Sequence, residues 1–297
     1  MLALIKVSNN PMGKRVRALG GYVGEALDPF RITDKLENPL LEVMVSRFEV
    51  RGKHCFFQKV LGEYLDAMDI DSAGTVLDMG CGTGVAARTI ARRANFSGRV
   101  TGIDLSPYLV RAAKRLADEE GLGSRVEFRS GDARELDIPD GRFDAVVAHT
   151  LVSHVHEALM VLKEAGRVVK PGGLIAIFDG DYASITFALD DPLQSKKYDE
   201  ALINALVTSP RVMRQMPRLI QQADLEMVRT FPYIMAEVGE GDFWLSAIDS
   251  FEKLAPKSGV MTEAEATGWA NALHKASDRG VFFGASNYYT YIARRPE

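Results

Sequence analysis

The chain has 297 residues, of which 46 % are hydrophobic, so it is long enough for one large domain with a sizeable core. Its net charge of -4 excludes the strongly basic surface that nucleic-acid-binding proteins usually present, so a small molecule is the expected partner. The two cysteines, Cys55 and Cys81, are too few for a disulfide framework or a cysteine zinc site, and no metal is expected.

Membrane and targeting signals are not found in the sequence. No segment approaches the ~20 consecutive apolar residues of a membrane-spanning helix, and the apolar run at the N-terminus is too short for a signal peptide. The sequence therefore predicts a cytoplasmic protein without a membrane partner. Its oligomeric state stays open, with a homodimer as one option.

Residues 1–70 are predicted to form an N-terminal arm and two helices. Residues 1 to about 37 show no firm pattern and are expected to be an ordered flap or arm. Apolar residues recur at helical spacing from Leu40 to about Gly52, and again from Phe56 to Met68. The spacing does not distinguish helices that only pack on the core from helices that roof a pocket.

The central feature is a glycine loop after the first predicted strand, Thr75–Asp78, and before a helical pattern that begins at Ala86. Glycine occupies positions 80, 82 and 84, where it allows positive φ and leaves no Cβ between the backbone and a ligand. The helix that follows offers free N–H groups and a partial positive charge. A strand, a glycine turn and a helix in this order are typical of a nucleotide-type cofactor site. A tight turn without a ligand is the alternative.

The second predicted strand, Arg99–Asp104, ends in an acid twenty residues after Gly84. Doubly wound folds place a carboxylate at this point to accept hydrogen bonds from a ribose diol. Asp104 could instead cap the next helix, but Ser106 and Pro107 already supply an N-cap and a first helical residue. Ribose binding is therefore the favoured role of Asp104.

Three further strands alternate with helices and complete a parallel, doubly wound α/β core over residues 71–180. Their predicted ranges are Val126–Arg129, Phe143–Ala148 and Leu174–Phe178. Polar residues follow each strand, at the edge where open α/β sheets bind ligands. Asp132 there could meet an adenine amino group, or it could bond its own backbone in a turn.

Residues 181–297 are predicted to be connector helices, the last two strands of the same sheet and an inserted helical cap. Alternating apolar residues indicate a strand over Leu225–Val238, and an aromatic, β-branched pattern indicates another over Val281–Ala293. A helical pattern rich in Glu and Ala lies between them, from Asp242 to about Asp278. No linker separates this region, so the whole chain is expected to be one fused domain.

The glycine spacing discriminates between cofactors. Nicotinamide sites usually show Gly-x-Gly-x-x-Gly, and Val85 stands where the third glycine would fall. A P-loop is absent because no Gly-Lys-Ser or Gly-Lys-Thr follows the turn. The motifs of the chain, in their order, resemble those of class I S-adenosylmethionine-dependent methyltransferases, above all the small-molecule enzymes of the ubiquinone and menaquinone type. The segments that carry this resemblance are Val76–Gly84, Gly102–Pro107, Gly131–Ala133, Arg142–Val146 and Leu162–Gly173.

The resemblance implies a Rossmann-like sheet of seven strands with an antiparallel last strand, and it implies S-adenosyl-L-methionine as cofactor. The loop of Gly80, Gly82 and Gly84 would pass the methionine part, and Asp78 would orient that loop. The ribose, adenine and methionine contacts would come from the remaining predicted cofactor residues, Asp104, Leu105, Asp132, Ala133 and His149.

A sulfonium methyl group is already activated, so methyl transfer mainly requires an aligned acceptor and the exclusion of water. If a base is needed, His154 and Asp181 are the candidate catalytic residues, because both follow strands at the cofactor edge. Eight aromatic residues of the last third could form an apolar acceptor pocket or simply pack in the core: Phe231, Tyr233, Phe243, Trp244, Phe282, Phe283, Tyr288 and Tyr289. A quinone, a phenol or another natural product fits such a pocket better than a phosphorylated acceptor.

The sequence thus predicts methyl transfer to a small, apolar or aromatic metabolite. Three alternatives stay open. The chain could use the same fold and cofactor for a different biosynthetic reaction, such as a pericyclization or decarboxylation. It could also be a non-catalytic binding protein, or a nicotinamide dehydrogenase despite the glycine spacing.

Overall fold

A computed structural model describes residues 28–258 and 261–297 of the chain. The described residues form one seven-stranded sheet with helices on both faces. The strands are β1 (Thr75–Met79), β2 (Arg99–Asp104), β3 (Val126–Ser130), β4 (Phe143–His149), β5 (Val169–Phe187), β6 (Glu226–Gly239) and β7 (Phe282–Arg294). The α-helices are α1 (Asn38–Lys53), α2 (Cys55–Ala67), α3 (Val85–Arg92), α4 (Pro107–Glu119), α5 (Ala158–Val168), α6 (Pro192–Leu206), α7 (Val212–Gln222), α8 (Phe243–Leu254) and α9 (Glu263–Asp278). Every helix in these ranges is too short or too polar to cross a membrane.

The strand order is β3-β2-β1-β4-β5-β7-β6, and it confirms the predicted fold class. Strands β1 to β5 pair in parallel, whereas β7 runs antiparallel to both β5 and β6. From β1, the chain adds β2 and β3 on one side of the sheet and then crosses to β4 on the other side. The direction of strand addition therefore reverses beside β1. Open α/β sheets bind ligands at such a switch point, outside the carboxyl ends of the strands. The glycine loop after β1 lies at this place.

Apolar cores cover both faces of the sheet, which explains why the central strands read as continuous apolar runs. Val76 and Val147 point into the core under α2 and α3, and their neighbours Leu77 and Val146 point into the core under α5 and α7. All four are fully buried. The sheet is therefore held on two sides, and its carboxyl edge is free to build a site.

Strand β5 is longer than the sequence predicts. It begins at Val169, five residues before the predicted start at Leu174, and continues past the predicted end at Phe178 to Phe187. The segment Asp179–Tyr182 therefore lies within the strand rather than in the loop after it. The early start comes from β4, in which Phe143 pairs with Val169, and the late end comes from β7, which pairs with β5 from Leu174 to Asp181 and again at its end. A partner strand a hundred residues away leaves no local signal, so the extension could not be predicted from the β5 segment alone.

Helix α1 is fastened to the glycine loop through one carboxylate. Glu49 Oε1 accepts hydrogen bonds from Thr83 Oγ1 and from Arg88 Nη2, each at 2.6 Å. Arg88 is buried on α3, where it also pairs with Glu120. These bonds hold α1 across the mouth of the loop. Most of the predicted N-terminal arm, residues 1–27, lies outside the described residues.

Gly84, the third loop glycine, packs against Phe128 of β3, and a substitution can test this contact. Gly84 has φ of +78°, and a Cβ there would lie 2.6 Å from Phe128 Cζ. Gly84→Ala should therefore lower the free energy of unfolding by about 1–3 kcal/mol, measured by chemical denaturation. The matched control is Gly268→Ala on the exposed face of α9, where a Cβ meets nothing within 4 Å. That substitution should raise the free energy of unfolding by about 0.5–1 kcal/mol. Equal effects at the two sites would show that Gly84 is not required by its positive φ and its contact with Phe128.

Candidate active site

A cavity of about 520 Å³ lies at the carboxyl edge of the sheet, beside the switch point. The glycine loop and the ends of β2 and β4 form its floor, and Phe48 and Arg51 of α1 cover it. Helix α1 therefore roofs a pocket, a role that helical spacing left undecided. The residues predicted to bind a cofactor that line this cavity are Asp78, Gly80, Gly82, Asp104, Leu105, Asp132, Ala133 and His149. Gly84 is not among its lining residues and packs against Phe128 behind the loop.

Two loop glycines face the cavity between larger side chains. Gly80 has φ of +67°, and a Cβ on it would lie 2.6 Å from Leu151 Cδ1. Gly82 has φ of +54°, and a Cβ there would lie 3.3 Å from the ring of Phe48. A side chain at either position would be strained and would fill space between the loop and its cover. The backbone can therefore approach a ligand closely.

The carboxylate of Asp104 is held by the backbone on both sides. Its Oδ2 accepts a hydrogen bond from Gly82 N at 2.8 Å, and its Oδ1 accepts one from Ser106 N at 2.9 Å. Ser106 caps α4, as predicted, because its Oγ accepts from Leu109 N. Each carboxylate oxygen keeps further lone pairs, so Asp104 can accept two hydroxyl groups of one diol.

Asp78 lies under the same loop and is 1 % exposed. Its Oδ2 accepts a hydrogen bond from Ala87 N at 3.0 Å, in the first turn of α3, where a negative charge is favoured. Burial nevertheless raises the pKa of Asp78 to about 7, against the lowering effect of that hydrogen bond. The Asp78 side chain faces the cavity and changes between its protonated and ionised forms near neutral pH.

Asp132 forms the predicted turn and also lies at the cavity, where an adenine contact stays a prediction. Its Oδ1 accepts from Arg134 N at 2.9 Å, which is the bond of an aspartate turn, and Asp132 also lines the cavity. The Arg134 guanidinium, 2.7 Å from Oδ2, lowers the pKa of Asp132. Asp132 therefore stays ionised and fixed in position.

A second, smaller cavity of about 80 Å³ adjoins the first one. Phe30, Phe48, Arg51 and His154 line both cavities. The walls of the second cavity are mainly apolar and come from α1, α6, α8 and the ends of β5 and β7. Of the eight aromatic residues predicted for an acceptor pocket, this cavity is lined by Phe243, Trp244 and Tyr288.

His154 stands where the two cavities meet, and it is paired with Asp28. The distance from His154 Nδ1 to Asp28 Oδ2 is 2.8 Å. Thr208 N and Oγ1 donate to the same oxygen at 3.0 and 2.9 Å, and Phe30 N donates to Oδ1 at 3.0 Å. Burial lowers the pKa of His154, whereas the carboxylates of Asp28 and Asp179 raise it. Together the carboxylates outweigh burial, so the pKa lies above its ordinary value.

Sequence reasoning missed Asp28. An aspartate directly before Pro29 is a helix-start signal, and Asp28 does cap the short 3-10 helix Pro29–Ile32. That signal says nothing about a histidine 126 residues further along the chain. The pairing depends on tertiary structure alone.

Asp181 is not brought to either cavity. It is 2 % exposed within β5 and forms an ion pair with Arg214, at 2.9 Å between Nη2 and Oδ2. Its neighbour Asp179 is fully buried and accepts from Ser153 N at 2.9 Å, in the turn that carries His154. The structure thus separates the two predicted catalytic candidates, with only His154 beside the cavities.

Comparison with known proteins identifies the domain that contains the glycine loop. Residues 76–173, from β1 to the start of β5, match the model of a methyltransferase domain. In this third of the chain, the match confirms the resemblance to class I S-adenosylmethionine-dependent methyltransferases. The matched range includes the glycine loop, Asp104, Asp132 and His149, so the methyltransferase domain supplies most of the lining of the larger cavity.

Relatives of the chain include a ubiquinone biosynthesis O-methyltransferase from Azorhizobium caulinodans, which is 31 % identical over 58 % of this chain and 60 % of its own length. A sterol 24-C-methyltransferase from Eremothecium gossypii is 40 % identical over 37 % of this chain and 29 % of its length. An uncharacterized 37.1 kDa protein of transposon TN4556 from Streptomyces fradiae is 30 % identical over 77 % of this chain and 65 % of its length. The chain spans less than two thirds of each of these relatives.

Solved structures share the methyltransferase fold across most of the chain. The [4+2]-cyclase SpnF aligns with a TM-score of 0.59 and 20 % identity, over 92 % of this chain and 98 % of the other. Geranyl diphosphate methyltransferase, solved with GPP and sinefungin, aligns with a TM-score of 0.50 and 18 % identity, over 80 % of this chain and 78 % of the other. At these identities the likeness shows the fold.

The electrostatic environment of His149 contrasts with that of His154. Burial and the nearby Arg51 lower the pKa of His149 to about 3, so its ring is neutral. Its Nδ1 lies 2.8 Å from the hydroxyl oxygen of the fully buried Tyr64. It is the only hydrogen bond of the Tyr64 hydroxyl among the described residues. His149 therefore presents a neutral imidazole, fixed by Tyr64, to the cavity.

The two histidines provide a direct electrostatic test. In an NMR titration of the ring resonances, His154 should titrate above the ordinary value of about 6.5. Asp28→Asn removes the carboxylate that stabilises the imidazolium, while burial and Arg51 still oppose its charge, so the His154 pKa should fall below that value. His149 is the internal control and should stay neutral in both proteins. An unchanged His154 pKa in the variant would refute the pairing.

Proposed function

We propose that this chain transfers the methyl group of S-adenosylmethionine to a small, mainly apolar or aromatic acceptor. One observation carries the proposal: the larger cavity at the switch point opens beside the small apolar cavity, and the two share His154. A cofactor in the first and an acceptor in the second would meet at that histidine. The names of the relatives that act on sterols and in ubiquinone biosynthesis support an acceptor of this class.

The residues of the larger cavity fit the proposed cofactor. The lone pairs that Asp104 keeps suit the two ribose hydroxyls, and the turn of Asp132 and Ala133 would face the adenine. The glycine loop leaves room at its backbone for the methionine part, next to the acid of Asp78. When bound, S-adenosylmethionine supplies a methyl group that is already activated by the sulfonium charge.

The protein's contribution is alignment, water exclusion and proton transfer. Phe30 and Phe48 close the junction between the cavities and restrict water there. His154 uses Nδ1 for Asp28, so its Nε2 can take the proton of an acceptor hydroxyl as the new bond to the methyl carbon forms. Asp28 then stabilises the imidazolium, and its three other hydrogen bonds hold it in place.

The proposed reaction is tested with S-adenosylmethionine that carries a trideuterated methyl group. The protein is incubated with a panel of phenols, quinols and sterol-like alcohols, and products are identified by mass spectrometry. Methyl transfer predicts a product that retains all three deuterium atoms and one equivalent of S-adenosylhomocysteine. Conversion of a panel member without the label would show a different reaction on the same fold, and it would overturn the proposal.

Cofactor affinity should depend on the ionisation of Asp78. S-adenosylhomocysteine carries a cationic amino group, which an ionised Asp78 attracts and a neutral one does not. Below the pKa of about 7, binding must first displace a proton, so the affinity should fall by up to about tenfold per pH unit. Isothermal titration calorimetry across neutral pH measures this slope.

Two controls isolate the role of Asp78. Asp78→Asn should bind S-adenosylhomocysteine more weakly, with a flat pH profile. 5′-Methylthioadenosine lacks the amino acid part and should bind the wild-type protein without this pH dependence. An equal slope for both ligands would assign the titration to another group.

His154→Ala should lower turnover of a hydroxyl acceptor by about 10²- to 10⁴-fold while leaving the affinity for S-adenosylhomocysteine almost unchanged. In the wild-type protein, turnover should rise with pH through the raised His154 pKa, because only the neutral ring can accept a proton. The variant should lose this rise. Unchanged turnover would remove His154 from the mechanism.

A further inference from the structure

Helix α1 presents two arginines to the small apolar cavity. Arg47 and Arg51 lie four residues apart, which places them one turn apart on the same face of the helix, and both line the cavity. Arg51 donates to Thr150 Oγ1 at 2.6 Å and lies against the rings of Phe48 and Phe57. Arg51 is therefore partly engaged by the protein.

Arg47 has no such partner. Within residues 28–258 and 261–297, its guanidinium makes no hydrogen bond and no ion pair. The nearest acid in sequence, Glu49, is already bound to Thr83 and Arg88. Burial and the neighbouring Arg51 lower the pKa of Arg47, yet an arginine remains charged in a protein. The cavity thus contains the positive charges of two arginines, neither paired with a described carboxylate, and the Arg47 guanidinium also lacks hydrogen-bond partners among the described residues.

Three further side chains of the cavity carry donors without partners. The hydroxyls of Tyr182 and Tyr288 have no hydrogen-bond partner among the described residues, and neither has the buried indole Nε1 of Trp244. Burial raises the pKa of both tyrosines, so their hydroxyls keep their protons. No described Asp or Glu lines this cavity. Buried donors without acceptors cost free energy, which a ligand that only accepts would recover.

We infer that the acceptor carries a carboxylate, which binds to Arg47 inside the apolar cavity. This inference rests on the proposed function and specifies its substrate class as an acidic, otherwise apolar metabolite. The Arg47 guanidinium has its donors free, and their fork fits both oxygens of a carboxylate. The apolar part of the molecule packs against Phe243 and Ala247 of α8, and its nucleophile points to His154.

A binding experiment with matched probes tests this assignment. The probes are benzoate, 2-naphthoate, 4-phenylbutyrate and octanoate, each compared with its primary amide, in the presence of saturating S-adenosylhomocysteine. The wild-type protein should bind at least one acid about ten- to a hundredfold more tightly than the matching amide, measured by isothermal titration calorimetry. Arg47→Gln should remove this preference, and Arg47→Lys should retain part of it.

The controls separate this inference from the proposed function. Arg115→Gln, an exposed arginine on α4 that pairs with Glu119, should leave the preference unchanged. All variants should bind S-adenosylhomocysteine, because Arg47 does not line the larger cavity. Failure of the wild-type protein to bind S-adenosylhomocysteine would refute the proposed function.

With that binding intact, three results would overturn the carboxylate assignment alone. They are tighter binding of amides, an acid preference that survives in Arg47→Gln, and a panel in which no acid binds. Tighter binding of phenyl phosphate than of any acid would do the same, because it would assign the site to a dianion.

Discussion

The architecture of the site depends on the carboxylate of Glu49. It joins α1 to the glycine loop through Thr83 and to α3 through the buried Arg88. Removing one partner of a buried ion pair leaves a charge that the interior cannot solvate, so this link strongly constrains the helix. Because Phe48 and Arg51 lie on either side of Glu49 on α1, the same bonds set the cover of the larger cavity and one wall of the smaller one.

The protein treats two neighbouring histidines in opposite ways. His149, paired with a neutral tyrosine, is kept uncharged by burial, while His154, paired with a carboxylate, is made more basic. His149 ends β4 and His154 lies five residues later, so the difference comes from α2 in one case and from the segment before α1 in the other. The end of one strand and the turn after it thereby carry a neutral imidazole and a more basic one close together.

Local chemistry made much of the fold predictable. The glycine loop, the acid at the end of β2 and the Ser106-Pro107 helix start each depend on residues close in sequence, and the structure forms each element where the pattern indicated. Features that need distant partners were not predictable: the extension of β5 needs β7, and the role of Asp28 needs His154. The place of Arg47 at the small cavity could not be predicted either, because an arginine on a helix is ordinarily solvated and only the tertiary fold encloses this one.

Arg51 has a further consequence because it lines both cavities. A ligand in one cavity that changes the position or electrostatic surroundings of this guanidinium also changes the affinity of the other cavity for its own ligand. Thermodynamic linkage requires this effect to be reciprocal and equal in free energy, whichever ligand binds first. The hydrogen bond to Thr150, a residue with φ of +58°, connects the arginine to the backbone after β4. A single shared side chain is thus sufficient to make the binding of two dissimilar molecules cooperative or antagonistic.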